Sequence, residues 1–129
     1  MRENARRICL ATHAHPTCVV AAETLAECLA RLLQGDPLEA ALECAADRCV
    51  PLSSLAAILP AQLSFSASLA AVVMRGGEAC VAGQVAGAVL GATAGYGGLP
   101  AELLDSIDND FRVSMDRKIN KLLDLMGVP

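Results

Sequence analysis

The sequence predicts an all-α fold, a helical bundle around one buried glycine- and alanine-rich central helix, and three observations carry that prediction. The 129 residues are 54% hydrophobic, yet they include one Tyr, two Phe and no Trp. The apolar content is therefore mostly Ala, Leu and Val, small knobs suited to close helix contacts, and Ala and Leu favour helix. No segment sustains the period-2 alternation of a half-buried strand. Finally, Gly83, Gly87, Gly91 and Gly95 recur at four-residue spacing in the apolar run ACVAGQVAGAVLGATAGYGG. Four residues is a little over one helical turn, so these glycines form a single strip. Each interior glycine costs roughly 0.5–1 kcal/mol against alanine, so four in one helix imply a second backbone packed closely on the strip.

Each element has its own signals. A short amphipathic segment, Asn4 to Leu10, leads to Pro16, which ends one helix and opens the next. A helix is expected from about Thr17 to Gln34, with Val19, Val20, Leu25, Leu29, Leu32 and Leu33 at helical spacing, Glu23, Glu27 and Arg31 opposite, and Gly35 as the stop. Asp36-Pro37 reads as cap and first turn of a third helix reaching about Cys49, antiparallel to the second. Val50-Pro51-Leu52-Ser53-Ser54 is a break before a short helix, Leu55 to Leu59, interrupted by Pro60. A further helix spans about Ser64 to Met74 and ends at Gly76-Gly77, a pair suited to left-handed geometry that turns into the glycine-strip helix, 79–95. Pro100 starts a helix carrying Leu103, Leu104 and Ile107. The tail from Phe111 to Met126 is an amphipathic end helix.

The length fits one domain, residues 1–129. A formal net charge of -4, with Arg6-Arg7 and Arg117-Lys118 as the densest basic pairs, excludes the electrostatic footprint of a nucleic-acid binder. Cys9, Cys18, Cys28, Cys44, Cys49 and Cys80 follow no signal-type segment and sit in a helical rather than loop-rich chain, so they read as buried thiols of a cytoplasmic protein. Cys44 and Cys49 point to different helix faces and have neither redox-pair nor metal-ligand spacing. The run from Ala79 to Gly98 is long enough to be weighed as a membrane span, but Gln84 and the excess of Gly and Ala over Leu and Ile favour a buried core helix.

The segment Arg75-Gly76-Gly77-Glu78-Ala79-Cys80-Val81, continuing through Gly87-Ala88-Val89-Leu90-Gly91-Ala92 to Gly98-Leu99-Pro100, resembles the C-terminal signature of the ADP-ribosylglycohydrolase family: a Gly-Gly-Asp turn, a second Asp and a Thr, then a Gly-Ala-rich helix ending near a Pro. Thr12-His13 with Pro16, and Gly35-Asp36-Pro37-Leu38-Glu39-Ala40-Ala41, are similar to two upstream segments of the same family. The resemblance implies an all-α bundle whose active members hold two Mg²⁺ ions and hydrolyse the bond between ADP-ribose and its acceptor. Carboxylates and a threonine hydroxyl hold those hard cations there, and the metals activate water. In this chain the first Asp position is Glu78, the second is Cys80 and the Thr position is Val81. A thiol is a poor Mg²⁺ ligand and valine is none, so Glu78 is the one surviving metal candidate. The likeness covers the family's C-terminal half, and a cysteine at the second Asp position is a feature of its J-type crystallin and J-type selenoprotein branch, to which Pro51-Leu52-Ser53-Ser54 also points.

Three functions follow as expectations. The first is a catalytically degenerate family member, structural or binding, with His13, Gly76, Gly77, Glu78 and Cys80 as the remnant of an ADP-ribose site, no catalytic residue and no cofactor. The second is a Mg²⁺-dependent ADP-ribosyl hydrolase completed in trans by a second copy or a separate N-terminal half-chain. The third is a membrane-associated helical protein pairing through the glycine strip. Taken one by one, Cys80 reads as a small buried hydrophobe, Glu78 as a carboxylate at a helix N-terminus, and His13 and His15 as loop or structural histidines. The serines have no histidine and acid beside them in sequence, so no nucleophilic triad is read. Asp105, Asp108 and Asp110 lack the glycine and terminal glutamate of a calcium loop and read as a solvated turn.

Overall fold

The computed structural model describes residues 1–46 and 64–127. The described residues form seven α-helices and one 3-10 turn, with no strand among them. The all-α prediction therefore holds. The expected break at Val50–Ser54, the helix Leu55–Leu59, Pro60, Cys49 and the far end of the third helix lie outside the described residues. The chain divides into two compact units, Met1–Gly98 and Leu99–Pro129.

In the first unit, α2 (Pro16–Leu33) is the central element: α1 (Arg2–Leu10), α3 (Leu38–Ala46) and α5 (Ala79–Ala94) pack against it, and α4 (Phe65–Val73) packs against α5. Local chemistry fixes the ends of α2. Pro16 occupies the first turn, where its missing N–H is no loss, and the His15 ring accepts the Thr17 N–H at 3.3 Å. At the other end Gly35 takes φ +94°, the Asp36 N–H reaches the Arg31 carbonyl at 3.0 Å, and the Gly35 N–H reaches the Leu32 carbonyl at 3.0 Å. This Schellman arrangement reverses the chain tightly and makes α2 and α3 a hairpin. The predicted cap residue Asp36 places its carboxylate 3.6 Å from the Arg31 guanidinium.

The core joins Cys28 and Leu32 of α2, Ala41, Leu42 and Ala45 of α3, Val72 of α4, and Ala86, Val89 and Leu90 of α5. Fully burying a Val or Leu side chain is worth roughly 1.5–3 kcal/mol, so these few contacts hold the unit together. Two expected core positions lie outside it: Val20 and Leu33 are exposed, and Thr24 is buried instead. The Thr24 hydroxyl is satisfied locally, donating to the Val20 carbonyl at 2.7 Å. The buried thiols need correction as well. Cys28 is buried, Cys9 and Cys44 are half-buried, and Cys18 and Cys80 are exposed.

Helix α1 starts earlier than its amphipathic pattern indicates, and it turns Ile8 outward. Toward α2 it offers the half-buried Ala5 and Cys9, flanked by Arg2 and Arg6. Arg2 Nε donates to Glu27 at 2.8 Å, and Arg6 lies 3.7 Å from Glu23. The pairs run in opposite directions along the two helices, the register of an antiparallel contact.

Helix α4 starts where expected and is capped there, with Ser64 Oγ accepting the Ala67 N–H at 3.3 Å. The glycine-strip helix α5 ends at Ala94, not at Gly95, which has φ +67° and lies beyond the last turn. The close backbone expected on the strip is also absent among the described residues. A methyl group at Gly83 would meet a Val73 side-chain methyl at 3.2 Å, while at Gly87 and Gly91 it would meet nothing within 4 Å. Helix α5 buries Ala86, Val89 and Leu90, and the strip lies on the shoulder of that face. No described helix is long and apolar enough to cross a membrane.

The second unit holds α6 (Ala101–Asp105) and α7 (Asn109–Met126). The apparent solvated aspartate turn is the start of α7: Asp108 Oδ1 accepts the Phe111 N–H at 3.0 Å, and Asp110 sits in the first turn, where its charge suits the helix dipole. Substituting Asp108→Ala should therefore destabilise α7 by about 1 kcal/mol, read as an earlier loss of helix signal on heating. The expected end helix is present, and Phe111, Val113, Ile119, Leu122 and Leu123 along it are exposed.

Candidate functional site

The candidate site is the turn from Arg75 to Val81 that joins α4 to α5. Its backbone is set by Gly76 and Gly77, with φ of +75° and +67°, a region that costs a residue with a side chain roughly 1–2 kcal/mol. The paired glycines let α4 stop and α5 begin within a few residues. Glu78 is the N-terminal cap residue of α5; its carbonyl accepts the Ala82 N–H at 2.9 Å, while its carboxylate makes no capping bond. The first N–H groups of α5 thus have no side-chain cap, and the positive end of the helix dipole faces the turn.

Gly76, Gly77, Glu78, Cys80 and Val81 are all exposed. Exposure corrects the reading of Cys80 as a buried hydrophobe. Its sulfur accepts from the Gln84 amide one turn later at 3.5 Å, a partner whose only signal in the sequence is the four-residue spacing. His13 is exposed at the end of α1, with Nδ1 2.9 Å from the Thr12 hydroxyl and its carbonyl accepting from the Cys9 thiol at 3.6 Å. No hydrogen bond or ion pair among the described residues joins His13 to the 75–81 turn. His15 is structural, as read, in its role at the start of α2.

The donor set at the turn is a carboxylate, a thiol and an isopropyl group. Hard Mg²⁺ asks for oxygen ligands in octahedral geometry, so Glu78 offers one such donor, and these three residues do not fit a two-metal site. Among the described residues, no three His, Cys, Asp or Glu side chains come together in a group able to hold a metal ion.

A helical bundle centred on α2, with a left-handed glycine pair opening a charge-free helix, defines an all-α protein whose distinctive surface is that turn. The family model for ADP-ribosylglycohydrolase matches residues 45–128, well over half of the chain, and the protein belongs to this family. The match takes in the 75–81 turn, α5 and the second unit. Thr12-His13 and the Gly35–Ala41 segment lie outside it. No curated protein and no solved structure matches the chain.

Proposed function

We propose that this chain is an ADP-ribosylglycohydrolase-family protein that has lost hydrolysis and serves as a structural or binding protein, nearest in character to the J-type crystallin and J-type selenoprotein branch. The observation that carries the reading is the donor set at the turn opening α5, where Cys80 and Val81 stand in place of two oxygen ligands. The exposed Gly76-Gly77-Glu78 turn, with its uncapped helix N-terminus, retains features that attract an anion such as the ADP-ribose diphosphate, with His13 as a second contact. On this reading the protein is cytoplasmic, needs no cofactor, and corresponds to a C-terminal portion of the family domain. Incubating the purified chain and Mg²⁺ with an ADP-ribosylated protein should release ADP-ribose no faster than a blank without the chain. Mg²⁺-dependent release above that blank overturns the reading.

One observation favours a second reading, a Mg²⁺-dependent ADP-ribosyl hydrolase whose site is completed by a partner chain. Gly87 and Gly91 leave open space on α5 among the described residues, the kind of surface a second helix fills. This reading expects a dimer or heteromer by sedimentation, and ADP-ribose binding that strengthens with Mg²⁺ only in that assembly.

A further inference from the structure

Helix α7 carries an apolar face that is open among the described residues. Every side chain from Asn109 to Leu125 is exposed except that of Arg112, which is half-buried. Phe111, Met115, Ile119 and Leu122 are between 38% and 58% exposed, and at about 100° of turn per residue they fall within an arc of about 80°. Arg112 and Lys118 border that arc, each about 60° from its centre and on opposite sides. Asp110, Asp116 and Asp124 all lie about 100° or more from the centre. Cations thus line both edges of the apolar face, and carboxylates keep to the far side. Between Arg112 and Lys121 the helix has four Lys or Arg against one Asp, in a chain whose formal net charge is -4. The helix is closed at both ends, by the Asp108 cap and by Gly127 at φ +69°. Helices in proteins draw most of their stability from packing an amphipathic face, so α7 gains from whatever covers it.

We propose that α7 docks on an anionic lipid surface. It lies in the plane of the interface, with Phe111, Met115, Ile119 and Leu122 inserted at the acyl boundary and Arg112 and Lys118 among the head groups. Charge complementarity selects this occupant. A bilayer presents anionic head groups on both sides of a helix lying in it, which matches cations on both edges of the apolar face. The stems of Arg112 and Lys118 lie along the inserted side chains while their charged ends reach outward. A second copy of α7 brings the same cationic edges and does not complement them. Lying on a bilayer does not require a helix long and apolar enough to cross one. The inference rests on the second unit alone and is independent of the 75–81 turn.

The test sediments the full chain with vesicles of equal parts phosphatidylcholine and phosphatidylserine, and separately with vesicles of phosphatidylcholine alone. Binding to the anionic vesicles should be roughly 30-fold stronger, about fivefold for each of the two edge cations. It should weaken as salt is raised. Arg112→Gln/Lys118→Gln should remove most of that preference, and Phe111→Ser/Leu122→Ser should abolish binding. Val113→Ser, an exposed apolar position on the far side of the helix, should leave binding unchanged. Equal binding to the two vesicles overturns the proposal. So does binding to neither, the result given by a face reserved for an acidic protein helix or for another copy of the chain, and so does a loss in Val113→Ser as large as in the Phe111/Leu122 pair. The unsubstituted protein decides through the first two of these outcomes if a variant fails to fold.

Discussion

Replacing Leu42 by alanine should remove about 2–5 kcal/mol of folding stability, the range for deleting a buried leucine side chain whose space the surroundings only partly refill. Leu42 is 3% exposed and lies in the cluster that ties α2, α3, α4 and α5 together. Alanine is the better helix former, so the loss comes from packing and not from propensity. A domain of ordinary stability has about 5–15 kcal/mol in all, so this one change is a large fraction of the total. Leu33, on the neighbouring helix, is the matched control: it is 75% exposed, and Leu33→Ala should move stability by no more than about 0.5 kcal/mol. Urea unfolding followed by far-ultraviolet circular dichroism reads both, and equal effects at the two positions would contradict the assigned core.

The double substitution Gly87→Ala/Gly91→Ala should stabilise the isolated chain, by roughly 1–2 kcal/mol in sum. Both glycines are interior to α5, each costs about 0.5–1 kcal/mol against alanine there, and an added methyl meets nothing within 4 Å among the described residues. Gly83 is left out of the pair because its added methyl would crowd Val73 at 3.2 Å. Should another chain occupy the strip, the same methyl groups would stand between two backbones, and the variant would weaken that association. Thermal unfolding at several protein concentrations separates the outcomes: a uniformly higher midpoint supports an open strip, and a midpoint that falls and loses its concentration dependence supports a covered one.

The fold class was legible because its signals are local. Pro16, Gly35, Ser64 and the Gly76-Gly77 pair act on the backbone within a turn of themselves, and the structure places helix ends at each. Burial was less legible because it depends on which neighbours arrive. Helix α2 meets α1, α3 and α5, so leucine spacing picks out only part of its buried face: Leu25, Leu29 and Leu32 lie in or against the core as expected, while Leu33 falls outside and Thr24 inside. The exposed position of Cys80 was missed for the same reason. A glycine-rich helix reads as buried all round, yet among the described residues of its unit α5 has neighbours on part of its circumference only. At the site, the residue types were visible in the sequence, and the structure adds the left-handed backbone, the uncapped helix end and the Gln84 contact. The capping role of Asp108 was hidden in a row of aspartates whose charge pattern drew attention away from their position before a helix.

The contact between α1 and α2 has a different physical character from the rest of the first unit. On the α1 side the residues turned into the contact are the small, half-buried Ala5 and Cys9, and two Arg–Glu pairs border them at the surface. Exposed pairs of this kind give about 0.2–1 kcal/mol each and fade as the screening length shrinks to about 10 Å at 0.1 M salt. The ion-pair part of the attachment of the first helix therefore weakens as ionic strength rises, whereas the joint of α2, α3 and α5 is apolar and strengthens with salts that are excluded from the surface. An excluded salt such as sulfate should therefore act on the two joints in opposite senses, loosening the amino-terminal turns toward protease cleavage while making the apolar interior harder to open.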